Sequence, residues 1–596
     1  MDQPDDTLGK AYDAALARRL LVYLRPYRWY AAAAVLLLLV NAALALVGPW
    51  LTRQALDVAV PARDASQLGT LAALFLGALL LEFGTEYGQA ILTTWIGQRV
   101  MYDLRLQIFG HLQRLSIPYF DRHPVGRLMT RVTSDVETLN ELFSSGVVAV
   151  FGDLVTLLAI MVAMLLIDWR LALVAFAVIP LVILTAAIFR RRVRDAFRDI
   201  RVALARINTF LQERLSGMRV VQLFGREEAS RRRFAEINAE HLDAHRRSIT
   251  IYAVFFPVVE LLTSVAVALL LWYGGLRALD GTLTVGVLAA FIQLTRRFFQ
   301  PLQDLSEKYN VLQSAMASSE RVFRLLDEPV TVPDAPRGSR RNGGEPARGE
   351  VAFEGVWFRY APDAPWVLKD VSFTASRGQT IAIVGHTGAG KTTIISLLLR
   401  FYDPERGRIT IDGEDIRQIP TDELRGLIGF VQQDLFLFTG DILRNLALDS
   451  RVTAEAAMGA ARRVGADRFI ERLPEGYHHV LGERGRSLSV GERQLLSFAR
   501  ALALDPAILV LDEATSSVDT ESEAQIQAAI AELMAGRTSL IVAHRLSTIL
   551  HADEILVLHH GEIRERGNHR SLLAREGLYH RLYQLQFGAR GRARSA

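Results

Sequence analysis

"QTIAIVGHTGAGKTTIISLLLRF", Gln379 to Phe401, decides the fold. It opens as a short β-branched run and turns at a glycine. It then continues as an apolar helical pattern. Gly385, His386, Thr387, Gly388, Ala389, Gly390, Lys391 and Thr392 fill the pattern G-x-x-x-x-G-K-[ST]. In such a loop the backbone N–H groups can face phosphate oxygens, because no side chain blocks them. The following helix adds the positive end of its dipole. A lysine at the seventh position reaches the β- and γ-phosphates, and the Thr392 hydroxyl suits magnesium. The chain otherwise uses arginine: its lysines are Lys10, Lys308, Lys369 and Lys391. A lysine kept here points to a need for a compact point charge. The stretch therefore predicts a nucleotide site at a strand–loop–helix junction.

"AILVLDEAT" is a second apolar strand, ending at Asp512 and Glu513. Asp512 suits the magnesium shell, and Glu513 is placed to polarise an attacking water. "LIVAHRLST" is a third strand, ending at His544, within reach of a γ-phosphate if the sheet is parallel. Gln433 and Asp434 follow the strand-like "LIGFVQ". "VAFEGVWFRY" and "VLKDVSFTAS" alternate like strands. Together these predict an α/β nucleotide-binding domain over residues 350–586, with a basic tail at 587–596. The Pro-, Gly- and charge-rich residues 327–349 read as a linker.

The first half differs. Half of the 596 residues are hydrophobic, and they concentrate before the linker. Apolar segments lie near Tyr30–Leu51, Leu68–Leu92, Gly146–Ile167, Leu171–Phe189, Tyr252–Tyr273 and Leu283–Phe299. Several reach the roughly 20 residues that span a bilayer. The second is interrupted by Glu82 and Glu86. The reading is an all-α, six-helix transmembrane domain over 29–326, preceded by a tail and interfacial helix over 1–28. The acidic opening does not resemble a signal peptide. The stretch from Arg190 to Arg247 holds 15 arginines, which places the long loops and both termini in the cytoplasm. Those loops should continue as helices with short transverse breaks. Glu260, in or near the fifth span, is a candidate contact for cationic substrate. Absence of cysteine excludes disulfides and thiolate chemistry. Arginines clustered beside apolar segments fit membrane topology, and nucleic acid is not an expected partner.

These motifs, in this order behind six spans, resemble an ATP-binding cassette exporter half of the multidrug-resistance type, over about Leu16 to Gln586. The resemblance implies ATP and Mg2+ as cofactors and a second exporter half as partner. It implies that Tyr360 stacks on adenine and that Gly385 to Thr393 form the phosphate loop. Gln433 would touch magnesium and relay to the membrane domain. "LGERG" around Glu483 would contact the transverse helices, expected near Pro118–Arg127 and Gly217–Arg226. Ser489, Val490, Gly491 and Glu492 would form the signature that closes over the partner's ATP. Asp512 would bind magnesium through water, Glu513 act as general base, Asp519 face the partner's site, and His544 sense γ-phosphate.

The family signature is L-S-G-G-Q, whereas this chain has Leu488-Ser489-Val490-Gly491-Glu492. A carboxylate about 8 Å from a polyanion is repelled by about 2 kcal/mol at an effective dielectric near 20. Either Glu492 faces solvent or Arg493 and the site is ordinary, or this signature serves a weakly hydrolysing site in a heterodimer. The heterodimer is the favoured expectation. The implied function is ATP-driven export of hydrophobic or amphipathic drug-like, peptide or lipid-like compounds across a bacterial inner membrane. The alternatives are a lipid or glycolipid flippase of the same fold and an ATP-gated channel or sensor.

Overall fold

The computed structural model describes residues 14–335, 347–433, 435–448, 452–512, 520–542 and 549–592. The chain forms two compact units. One comprises the residues up to Arg114 together with Pro124–Glu328, and the other joins Leu115–His123 to the chain from Pro329 onward.

The first unit is helical: α1 (Ala14–Val22), α2 (Arg28–Gln54) and α3 (Ala65–Leu112) precede the short α4 (Ile117–Arg122), which belongs to the second unit. It continues with α5 (Val125–Thr130), α6 (Val136–Glu141), α7 (Val147–Ile167), α8 (Trp169–Phe176), α9 (Ile179–Ser216), α10 (Met218–Leu223), α11 (Glu227–Leu279) and α12 (Val285–Leu326). At 1.5 Å per residue, the 53 residues of α11 span about 80 Å, far more than the roughly 30 Å of a hydrocarbon core. The long helices therefore continue beyond any membrane, as the arginine-rich loops predict.

Among the described residues, five stretches are long and apolar enough to cross a membrane: Arg25–Ala59, Ala65–Leu112, Val150–Ile167, Trp169–Ser216 and Glu227–Leu279. The expected sixth segment begins α12, where Arg296 and Arg297 interrupt the apolar run. Arg297 pairs with Glu82 of α3 at 3.0 Å, so one of the acids that breaks the second segment has a partner. Asp168, between α7 and α8, caps α8 and accepts from Arg277 of α11 at 2.6 Å. The core here is Ile160, Met164, Leu171, Leu270, Phe291 and Phe298 with their neighbours. Phe291 and Phe298 are buried in it, and Phe255 stacks on Phe189 at 3.9 Å.

The second unit holds two larger sheets. β1 (Val351–Phe358), β2 (Leu368–Ala375), β4 (Arg406–Ile411) and β5 (Glu414–Asp415) form one, in the order β2-β1-β4-β5. The other has the order β12-β11-β3-β10-β9-β6, from β3 (Thr380–Val384), β6 (Ile428–Val431), β9 (Ile508–Asp512), β10 (Thr538–Val542), β11 (Glu554–His559) and β12 (Glu562–Gly567). A two-residue ribbon pairs β7 (Gly440–Asp441) with β8 (Val480–Leu481). β3, β6, β9, β10 and β11 run parallel. Parallel strands buried on both faces read as continuous apolar runs, and β3, β9 and β10 are buried at every position.

Candidate nucleotide and coupling site

Parallel pairing brings the carboxyl ends of β3, β10 and β9 to one edge, with Val542 opposite both Ile383 and Asp512. Ligands of open α/β sheets bind outside such strand ends. The loop after β3 leads into α13 (Lys391–Leu398). Its glycines are set by close approach. A Cβ on Gly385 would lie 2.3 Å from the Leu558 carbonyl oxygen of β11. Gly390 has φ +105°, and a Cβ there would meet Leu368 at 2.7 Å. Ala389 is fully buried. Lys391 donates to the carbonyls of Gly385 at 2.9 Å and His386 at 3.0 Å, so its ammonium lies against the loop. Burial lowers the Lys391 pKa, and the nearby Asp512 carboxylate opposes that shift.

Thr392 is exposed at the start of α13, while Asp512 is buried at the end of β9. Gln433 is exposed two residues beyond β6. Hydroxyl, amide and carboxylate oxygens are the donors that magnesium prefers, so these residues fit that ion. Thr393 is buried and its hydroxyl shares a 2.9 Å hydrogen bond with that of Tyr360. The Tyr360 ring packs edge-on against Phe358 at 5.0 Å and Tyr402 at 5.2 Å. At 41% exposure it keeps open surface on which a base could stack. Glu513, Asp519 and His544 lie outside the described residues, as does Asp434.

The signature opens α14 (Val490–Ala503). Ser489 is its N-cap. The Ser489 hydroxyl accepts from the Glu492 N–H at 3.2 Å, and the Glu492 carboxylate accepts from the Ser489 N–H at 2.8 Å. In this reciprocal capping box Glu492 faces neither solvent nor Arg493 but caps its own helix. Arg493 instead donates to the Leu488 carbonyl at 2.9 Å. Val490 is exposed and Gly491 buried. Glu483 is exposed in the short turn Glu483–Gly485.

The predicted transverse helices are shorter than expected. In the first, Ile117–Arg122 is helical, and His123 turns extended before α5 begins. α4 packs within the second unit: Asp121 accepts from the Tyr402 hydroxyl, and Arg122 donates to the Tyr360 carbonyl at 3.0 Å. Burial, and then the bond to Asp121, raise the Tyr402 pKa. The second is α10 and the turn after it, with Val220, Leu223 and Phe224 exposed.

Several contributors carried no motif. Arg500 of α14 donates to the Asn445 carbonyl at 2.9 Å and the Phe436 carbonyl at 3.0 Å, tying the stretch after Gln433 to the signature helix. Asn445 bridges Phe438 and Asp441. Asp121 fell in the predicted transverse segment, but nothing in spacing names Tyr402 as its partner. Glu260 lies on the exposed side of α11, next to the buried Val259.

The family of ABC transporter transmembrane regions matches residues 31–302, and the ABC transporter family matches residues 368–516. The chain is 39% identical over 586 residues to the uncharacterized ABC transporter ATP-binding protein YknV of Bacillus subtilis, covering 98% of this chain and 96% of that one. It is 38% identical to the ATP-dependent lipid A-core flippase of Syntrophus aciditrophicus, covering 96% and 94%. It is 41% identical to the fatty acid ABC transporter ATP-binding/permease protein of Mycobacterium tuberculosis, covering 86% and 79%. With several apolar helices in one unit and a close-packed glycine loop between β3 and α13 in the other, the chain is a multi-pass membrane protein of the ABC transporter family, an ATP-driven exporter half whose ATPase is coupled to transport.

Proposed function

We propose that this chain exports hydrophobic or amphipathic compounds, drug-like, peptide or lipid-like, across the bacterial inner membrane, with both termini and the nucleotide-binding unit in the cytoplasm. The names of the relatives support amphipathic cargo, and the arginine-rich loops support the orientation. Magnesium would be held by Thr392 and Gln433, with Asp512 acting through water. Once bound, it would neutralise charge developing on the phosphates. Glu513 would activate the attacking water, His544 hold the γ-phosphate, and Asp519 face the partner's site. α4 and α10 would carry closure to the membrane helices. Transport follows from differential affinity: ATP favours the closed state, and cargo moves because the two states bind it differently. A carboxylate facing lipid is costly, so Glu260 is the proposed contact for a cationic group inside the assembled cavity.

One phosphate loop and one signature per chain require a dimer, and we propose a different chain as the partner. The carrying observation is the capping box. The Glu492 carboxylate already neutralises the positive end of α14 and occupies the Ser489 N–H. That helix end is what a partner's γ-phosphate would need. The site built with this signature is therefore the weaker one, and Glu513 works opposite the partner's signature. The test is Mg-ATP turnover of this chain alone in lipid discs, with its mass determined and Glu513→Gln as control. A monomer or an inactive dimer supports the proposal. A dimer with robust turnover, abolished by the substitution, overturns it.

A further inference from the structure

We propose that His386, His559 and His560 form a binding site for a divalent transition metal, of which zinc is the best fit, that clamps the phosphate loop to the β11–β12 turn. His386 is the second residue of the loop, His559 ends β11, and His560 follows it. One nitrogen from each ring lies within 4.8 Å of one nitrogen from each of the other two. The ring centroids of His386 are 5.1 Å from those of both other histidines, which are 4.2 Å apart. Zn–N bonds of about 2.1 Å in a tetrahedral shell put ligand nitrogens about 3.4 Å apart. The remaining closure is of the size that side-chain torsions supply.

Edge-on packing explains the ring contacts but not the state of His386. Its Nδ1 lies 2.8 Å from the Thr387 carbonyl, which can only accept, so Nδ1 carries the proton. The lone pair is then on Nε2, which is buried and has no hydrogen-bond partner among the described residues. A metal-binding imidazole has this arrangement: one nitrogen donates to a carbonyl and fixes the ring, and the other faces the ion. A backbone feature agrees. His560 adopts φ +50°, unusual for a residue with a side chain, and its ring centroid lies 4.2 Å from that of His559. Three imidazoles without a carboxylate suit zinc, copper or nickel rather than magnesium, so the site does not compete for the catalytic ion.

The consequence follows from what His386 touches. Its carbonyl accepts from Lys391, and the loop already presses on β11 through Gly385. A metal bridging His386 to the β11–β12 turn would stiffen the loop and hold the lysine on it. ATP turnover would then fall as the metal binds.

The test uses the full chain in lipid discs, free of nucleotide, titrated with zinc against a chelating dye and with cobalt followed by visible absorption. The comparison is His559→Gln with His560→Asn, the second chosen because asparagine tolerates positive φ. Both positions lie outside the phosphate loop, so turnover without metal should be unchanged. The expected result is one metal per chain, a tetrahedral cobalt spectrum, and affinity at least roughly 100-fold weaker in the variant. Zinc inhibition of turnover, measured with the partner chain if one is needed, should disappear with it. Equal zinc affinity in the variant, absence of saturable binding, or an octahedral cobalt spectrum would overturn the proposal. His560→Asn alone, at an exposed position, guards against misfolding of the pair and should weaken binding at least roughly tenfold; unchanged affinity would also overturn the proposal.

Discussion

Glu492→Gln separates the two jobs of the signature residue. Glutamine serves in a capping box as well as glutamate, so the bond to the Ser489 N–H at 2.8 Å survives. Only the charge–dipole contribution is lost, about 0.3–1 kcal/mol. The stability of the cassette should therefore change by less than about 1 kcal/mol. The effect on nucleotide is opposite in sign. A phosphate oxygen accepting from the Ser489 hydroxyl would sit about 2.7 Å from it. That leaves roughly 6–8 Å to the Glu492 carboxylate. At an effective dielectric near 20, the repulsion is about 2–3 kcal/mol per unit charge. Glu492 is partly exposed, and a Debye length of about 8 Å at physiological salt cuts this to about 1 kcal/mol. Removing the charge should lower the ATP midpoint for nucleotide trapping about fivefold. The assay is nucleotide retention by the assembled dimer in lipid discs, at about 0.15 M and about 1 M salt. The gain should vanish at the higher salt, where the Debye length is about 3 Å. An unchanged midpoint at low salt, or a shift that survives high salt, would refute the electrostatic reasoning.

Gly385→Ala should abolish ATP binding, because the added methyl carbon falls 2.3 Å from the Leu558 carbonyl oxygen and the loop must leave β11; equilibrium binding of a fluorescent ATP analogue reads this directly. Asp135, buried beyond the apolar segments, is held by Arg131 at 2.9 Å and by Arg321 of α12. Burial alone would raise its pKa, but hydrogen bonds from Arg321 and Arg131 outweigh it and the net shift is downward. A depressed folded-state pKa contributes stability above the unfolded value near 3.9 and loses it as pH falls through the folded value. Thermal melting should show that acid loss in the native chain. Asp135→Asn should lack it and be about 2–3 kcal/mol less stable at neutral pH, since two arginines lose their counter-charge.

The strand–loop–helix junction at Gly385–Lys391 was legible because its pattern is local: one strand, one loop and one helix adjacent in sequence. The same holds for the strand ending at Asp512. The bilayer requirement made the long apolar helices legible by composition alone. What sequence left open was tertiary. Glu82 looked like a flaw in the second span until Arg297, 215 residues later, supplied its partner. Phe291 and Phe298 belong to an apolar run whose pattern does not separate a buried face from a lipid-facing one, and they are core. The orientation of Glu492 depended on whether Ser489 would turn its N–H inward. The sequence S-x-x-E from Ser489 to Glu492 is itself a capping signal, so this contact is readable from the chain alone. Tyr402 and Arg500 carry no pattern, since their roles exist only once distant loops meet them.

The path from α4 to the phosphate loop is short, and its strength can be measured. Asp121 holds the Tyr402 hydroxyl, the Tyr402 ring meets that of Tyr360 at 5.2 Å, and the Tyr360 hydroxyl bonds Thr393 at 2.9 Å. Arg122 holds the Tyr360 carbonyl as well. A shift of α4 must therefore break a charge-assisted bond, distort Tyr360, or move the start of α13. Hydrogen bonds to charged groups contribute about 1.5–3 kcal/mol and neutral ones about 1. That is enough to transmit the 1–3 kcal/mol typical of coupling between sites. Asp121→Asn and Tyr360→Phe remove the two ends of the path while leaving the rings in place. A double-mutant cycle on ATP affinity should give an interaction energy above about 0.5 kcal/mol. Additivity within about 0.3 kcal/mol would mean that α4 is only packed against the cassette and that closure reaches the membrane helices by another route.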